Sequence, residues 1–109
     1  MRPVWQEEGI IAPPLRLTTT MRLLMYTSAF CGPCAVARRV VERAGTLVPS
    51  LSVVERDIAS WPDEAERDGV RMTPTLIVAD DAGTEVFRGE GPPSMPQLLQ
   101  ALSRALPGE

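Results

Sequence analysis

The chain has 109 residues, enough for one domain with a core of its own, and its 44% hydrophobic and 23% charged residues are ordinary for a globular protein. Net charge is -3, every basic residue is arginine and histidine is absent, so no basic excess exists to neutralise phosphates and a nucleic-acid partner is not expected. The longest apolar runs fall far short of a bilayer span, so no membrane partner is expected either.

Residues 1 to 20 carry Glu7, Glu8, Pro13 and Pro14 and no apolar core of a secretory signal, which points to a reducing cytoplasm. Ile10-Ile11 and Leu15-x-Leu17 are short strand-like pieces. Pro13-Pro14 removes two N–H donors in a row and argues against a helix. This segment reads either as an N-terminal arm or as an edge strand covering a sheet, with the domain proper spanning residues 21 to 109.

Met21 to Thr27 is a nearly continuous apolar run of strand length, suited to a strand buried on both faces. Val36, Val40, Val41, Ala44, Leu47 and Val48 then recur at helical spacing, with Arg38, Arg39, Glu42 and Arg43 opposite, where the arginines read as a solvated face. Gly45 and Pro49 weaken or end that helix. Leu51 to Asp57, with Val53-Val54, is a second strand, and a strand, helix and strand in series imply parallel pairing. Ser60-x-x-Asp63 resembles a capping box for a short helix from about Pro62 to Asp68, with Gly69 as its stop. Thr75 to Ala79 and Thr84 to Arg88 flank Asp80-Asp-Ala-Gly83, a β-hairpin in which the two acids make a turn, not a catalytic dyad. Ser94-x-x-Gln97 opens a last helix with Leu98, Leu99, Leu102, Ala105 and Leu106 on one face. The order is βαβαββα, an α/β protein with a central mixed sheet flanked by helices on both faces.

The chain's only two cysteines stand in Phe30-Cys31-Gly32-Pro33-Cys34, between the first strand and the first helix. A structural zinc site needs about four ligands, which two cysteines and no histidine cannot supply. In a reducing compartment a lone CxxC reads as a dithiol for exchange rather than a staple. The bland alternative, two inert buried thiols, does not explain Gly-Pro between them at a strand–helix junction. With the helix beginning near Cys31, that residue lies at its mouth and Cys34 inside the first turn. Cys31 is then the nucleophile and Cys34 resolves the mixed disulfide. Gly32 lets another backbone approach, and Pro33 fixes φ where a missing N–H costs little. The helix dipole offers Cys31 at most ~2 kcal/mol, or about 1.5 pKa units, so a modest depression of its pKa is expected.

These residues resemble the thioredoxin family. The matching pieces run from about residue 21 to 106: Phe30-Cys-Gly-Pro-Cys34, Asp57, Gly69-Val-Arg-Met-Thr-Pro-Thr-Leu76, Gly83-Thr-Glu-Val86 and Gly91. The resemblance implies a thioredoxin-like fold and a protein disulfide reductase that needs no bound cofactor. Its redox group is the Cys31–Cys34 disulfide, reduced by a separate thioredoxin-reductase-like donor such as a flavoprotein using NADPH. It implies disulfide-containing protein substrates and a monomer. It further implies that Pro74 follows a cis peptide bond, that Thr73 offers its backbone to an extended substrate, and that Gly91 lines the same groove with Phe30, Gly32, Pro33 and Met72. Phe30, Met72 and Trp61 would form an apolar collar, although Met72 and Trp61 are equally suited to core packing. The family's usual buried acid is replaced by Met25, its Trp two residues on by Thr27, and its Lys after the second cysteine by Ala35. No general base is evident for Cys34, whose proton would pass to water or to a substrate group. Two other readings share these residues: a thioredoxin-fold binding module with a regulatory or slow dithiol, and a glutathione-linked, glutaredoxin-like reductase.

Overall fold

The computed structural model describes residues 20–106, so the arm-or-edge-strand reading of the N-terminal segment lies outside the described residues. Seven elements follow one another: β1 (Met21–Thr27), α1 (Gly32–Leu47), β2 (Leu51–Asp57), α2 (Pro62–Arg67), β3 (Thr75–Ala79), β4 (Glu85–Glu90) and α3 (Met95–Ser103). The four strands form one sheet in the order β2-β1-β3-β4. β1 pairs parallel with β2, while β3 runs antiparallel to both β1 and β4. This is the expected mixed sheet.

Period-two alternation splits β1 between two cores. Met21, Leu23 and Met25 face a cluster completed by Ala37, Val41 and Ala44 of α1, Leu76 and Val78 of β3, and Leu98, Ala101 and Leu102 of α3. Leu24 and Tyr26 face the other way, against Ala65 of α2 with Ile77 and Ala79 of β3. Helices therefore cover both faces. Burial of a leucine such as Leu23 or Leu98 contributes roughly 2 kcal/mol over leaving it exposed.

The apolar stripe of α1 agrees with the expected one at Val41 and Ala44 and differs from it at Val36 and Leu47. Its buried residues are Cys34, Ala37, Val41 and Ala44, whereas Val36 is 42% and Leu47 57% exposed. The small side chains at positions 34, 37 and 44 share the buried face with Val41, and Val40 and Val48 pack at its margin. The helix runs through Gly45 and stops at Val48, whose extended backbone is what a following proline requires. In α3 and just after it the expected Leu98, Leu102 and Ala105 are buried, joined by Ala101 and flanked by the partly buried Leu99, and only Leu106 of the expected face is exposed. Its expected capping box is present: the Gln97 N–H donates to Ser94 Oγ and the Ser94 N–H donates to Gln97 Oε1. Ser60 caps nothing; Trp61 is the N-cap of α2 and makes no side-chain cap bond. β4 begins one residue late and ends two residues late. A register shift at Val78/Ala79 pairs Ala79 with Glu85 and Val78 with Phe87, an irregularity that displaces the partner strand. Among the described residues, no helix is long and apolar enough to cross a membrane.

Candidate functional site

The site is built where β1 hands over to α1. After Thr27 the chain turns through Ser28 and Ala29, and Phe30 takes φ 56°, a left-handed conformation that a bulky residue rarely adopts. Phe30 is fully exposed at 107%, so no packing compensates this strain. An unfavourable backbone held without packing return is the kind of feature that collects at functional sites.

Cys31 is the N-cap of α1 and Cys34 its third helical residue. The Cys34 N–H donates to Cys31 Sγ at 3.1 Å, as it would to a serine oxygen in the same position. Gly32 and Pro33 fill the first turn, both exposed, and the proline removes only an N–H that would have had no helical partner. The two Cα atoms are 5.2 Å apart and the sulfurs are joined in a disulfide. Their cover is unequal: Cys34 is 1% exposed and belongs to the sheet-facing stripe of α1, while Cys31 is only partly covered.

A second segment forms the facing wall. The Thr73–Pro74 peptide bond is cis. Thr75 Oγ1 donates to the Met72 carbonyl at 2.7 Å, and the Gly91 N–H donates to the Pro74 carbonyl at 2.8 Å. These bonds tie the loop before β3 to the end of β4. Gly91 has φ 89°, a conformation open to glycine and strained for other residues. Thr73 sits over the dithiol, with its carbonyl oxygen 3.9 Å and its Oγ1 3.8 Å from Cys31 Sγ. Met72, beside it, is 45% exposed, against the core-packing alternative. The nine residues singled out in the sequence are thus brought together: Phe30 to Cys34 on one side, Met72, Thr73 and Pro74 on the other, and Gly91 bonded to Pro74. Trp61 is only partly covered, and the Arg56 guanidinium lies 4.5 Å from its ring centroid. Stacking on a buried cation, rather than a place in the aliphatic core, holds that ring.

Two groups escaped the sequence reading. Ser28 Oγ is 2.7 Å from Thr73 Oγ1, a contact across forty-five positions that no motif announces. Glu55 lies beside Met25 in the β1–β2 register. Its carboxylate accepts from Thr27 Oγ1 at 3.0 Å and from Arg38 Nε and Nη2 at 3.0 and 2.6 Å. Arg38 is therefore an ion-pair partner as well as a solvated residue. The Arg38 hydrogen bonds hold the Glu55 carboxyl below its ordinary value against the opposing effect of partial burial, and the Thr27 bond adds to them. Met25 itself is fully buried among apolar neighbours and offers no proton acceptor. Among the described residues, no group of three or more His, Cys, Asp or Glu could hold a metal ion.

A partly covered cysteine bonded to a buried one, beside the Met72–Pro74 segment, can exchange disulfides with another chain. Comparisons with known proteins agree. The thioredoxin family model matches residues 15–104. The thioredoxin of Chlamydia muridarum is 33% identical over 82 residues, covering 75% of this chain and 79% of that protein. The thioredoxin of Mycobacterium bovis is 33% identical over 86 residues, covering 78% and 73%. In fold, the chain resembles the X-ray structure of Fasciola hepatica thioredoxin at a TM-score of 0.71 and 23% identity, over 80% of this chain and 82% of that one. Because the family model spans most of the sequence and these relatives are a third identical to it over the aligned residues, this chain belongs to the thioredoxin family and is a thiol–disulfide oxidoreductase acting on protein disulfides.

Proposed function

We propose that the protein works as a monomeric cytoplasmic reductant of protein disulfides, with Cys31 as the attacking group and Cys34 as the resolving one. The unequal cover of the two sulfurs carries this reading, since only the sulfur of Cys31 can be reached by a second chain. The Cys31 thiolate attacks one sulfur of the substrate disulfide. A Cys31–substrate bond forms, and the other substrate sulfur leaves as a thiolate. Cys34 then loses its proton and attacks Cys31 Sγ. This closes the Cys31–Cys34 disulfide and releases the second substrate thiolate. Two electrons pass from the dithiol to the substrate, and a separate thioredoxin-reductase-like donor returns them, so no bound cofactor is required.

The helix terminus supports the thiolate through the Cys34 N–H and the dipole of α1. Phe30, Gly32, Pro33, Met72, Thr73, Pro74 and Gly91 form the substrate groove in this reading. Phe30 and Met72 present apolar surface, and the backbone of Thr73 is available to pair with an extended substrate segment. With Met25 in place of an acid, the Cys34 proton leaves to water or to a substrate group.

The test is insulin reduction by dithiothreitol. Wild type accelerates it and Cys31→Ser does not. Equal rates for the two proteins would reject the reading. Cys34→Ser accumulates a mixed disulfide through Cys31, visible on a non-reducing gel, and its absence would overturn the assigned order.

A further inference from the structure

We propose that Ser28 is a positioning residue for the attacking sulfur, acting through the hydroxyl of Thr73. The inference rests on the assignment of Cys31 as the attacking group. Ser28 lies just beyond β1 and Thr73 in the loop before β3. Their hydroxyl oxygens are 2.7 Å apart, and Thr73 Oγ1 lies 3.8 Å from Cys31 Sγ. The three atoms form a chain that ends on the reacting sulfur.

Each hydroxyl has one proton to give and two lone pairs to fill. A disulfide sulfur is a weak acceptor, so in the oxidised protein either hydroxyl can donate to the other. Reduction changes this balance. Two electrons and one proton enter the pair, leaving Cys34 as a thiol and Cys31 as a thiolate. The negative sulfur is now the strongest acceptor in reach of Thr73 Oγ1, and the Thr73 proton turns towards it. Ser28 then donates to the freed lone pair of Thr73 Oγ1, and each bond polarises the next. Ser28 also fixes the χ1 of Thr73, a β-branched side chain with few rotamers, so that its hydroxyl stays over the sulfur. Both effects favour the Cys31 thiolate over the thiol. No other side chain in the site supplies a hydroxyl to this sulfur among the described residues.

The test reads the pH dependence of iodoacetamide alkylation in the reduced protein, with the modified cysteine located by mass spectrometry. Thr73→Val raises the midpoint for Cys31, lowering the thiolate fraction below that midpoint by about tenfold, the effect of one lost hydrogen bond to a charged group. Ser28→Ala lowers it by about threefold, a partial loss because Thr73 remains. The double variant matches Thr73→Val alone, since Ser28 has no route to the sulfur without Thr73. Ser28→Thr, which restores a hydroxyl, returns the midpoint to that of wild type. Should Ser28→Ala fold poorly, Thr73→Ser decides: it keeps the hydroxyl and the wild-type midpoint. A Ser28→Ala midpoint equal to wild type, a Thr73→Ser midpoint equal to that of Thr73→Val, or additive effects in the double variant would each overturn the proposal. Alkylation that falls first on Cys34 would instead overturn the assignment of Cys31 as the attacking group.

Discussion

Tyr26 is the only tyrosine in the chain, so its ionisation can be followed by tyrosinate absorbance without interference from another phenol. The ring is completely buried on the α2 side of β1, and its hydroxyl donates to Asp68 Oδ2 at 2.6 Å. Burial raises its pKa first and the Asp68 hydrogen bond second, from 10.0 to about 12, with Arg56 acting in the opposite sense. That rise corresponds to about 3 kcal/mol in favour of the neutral phenol in the folded protein. Because the folded value lies above the unfolded one, the stabilisation is fully present below pH about 10 and is lost as pH climbs through about 12. Titration of the native protein should therefore give a midpoint near 12, and titration in denaturant one near 10. The denaturant midpoint of unfolding should fall across the same window. Asp68→Asn removes the charged acceptor but not the burial, so the native midpoint should drop only part of the way. A native midpoint near 10 would refute the reasoning, and a complete drop in Asp68→Asn would refute the ranking of its causes.

Other outcomes follow from the site and its supports. Phe30→Gly relieves a left-handed backbone at a residue with no packing to lose, and glycine adds unfolded-state entropy of similar size. Its stability should therefore stay within about 1 kcal/mol of wild type in a denaturant titration, while its insulin reduction slows. Gly91→Ala meets no neighbouring atom but places an L-residue at φ 89°, a strain of about 1–2 kcal/mol readable by the same titration. Ser94→Ala breaks the capping box of α3 and should lower stability by about 1 kcal/mol, which lowers the melting temperature by several degrees in a domain of this size. Arg38→Ala removes the main cause of the depressed Glu55 pKa, so the Glu55 carboxyl should titrate at higher pH by carbon-detected NMR. The stabilisation from that carboxylate, present above its unfolded pKa and lost on acidification, should then be lost at higher pH than in wild type.

Three of the four strands have the bounds that their apolar runs and flanking Pro, Gly and Asp residues imply, because strand length and turn chemistry are local. Helix faces were less legible. In α1 the spacing of valines and leucines pointed to a stripe that holds at Val41 and Ala44 but not at Val36 and Leu47, while Cys34 and Ala37 join the buried face. Hydrophobic spacing alone does not report which helix face the fold turns to the core when small residues stand beside large ones. Ser60 carried the pattern of a cap and makes none, since capping depends on the backbone angle at which the chain enters α2. Ser28 and Glu55 were invisible because their partners, Thr73 and Thr27, lie forty-five and twenty-eight positions away.

By itself the sequence determined the chemistry available: two thiols around Gly-Pro, at a strand end and a helix start, with no histidine and an apolar residue at position 25. Those properties are covalent or local, and they hold wherever the segment lies. Tertiary structure decided which thiol is reachable and what surrounds it. Cys34 is covered because α1 packs on the sheet, and Cys31 meets the carbonyl and hydroxyl of Thr73 because the loop before β3 is tied to Gly91. Both depend on strand register and helix packing, which join residues far apart in the chain and so leave no pattern along it.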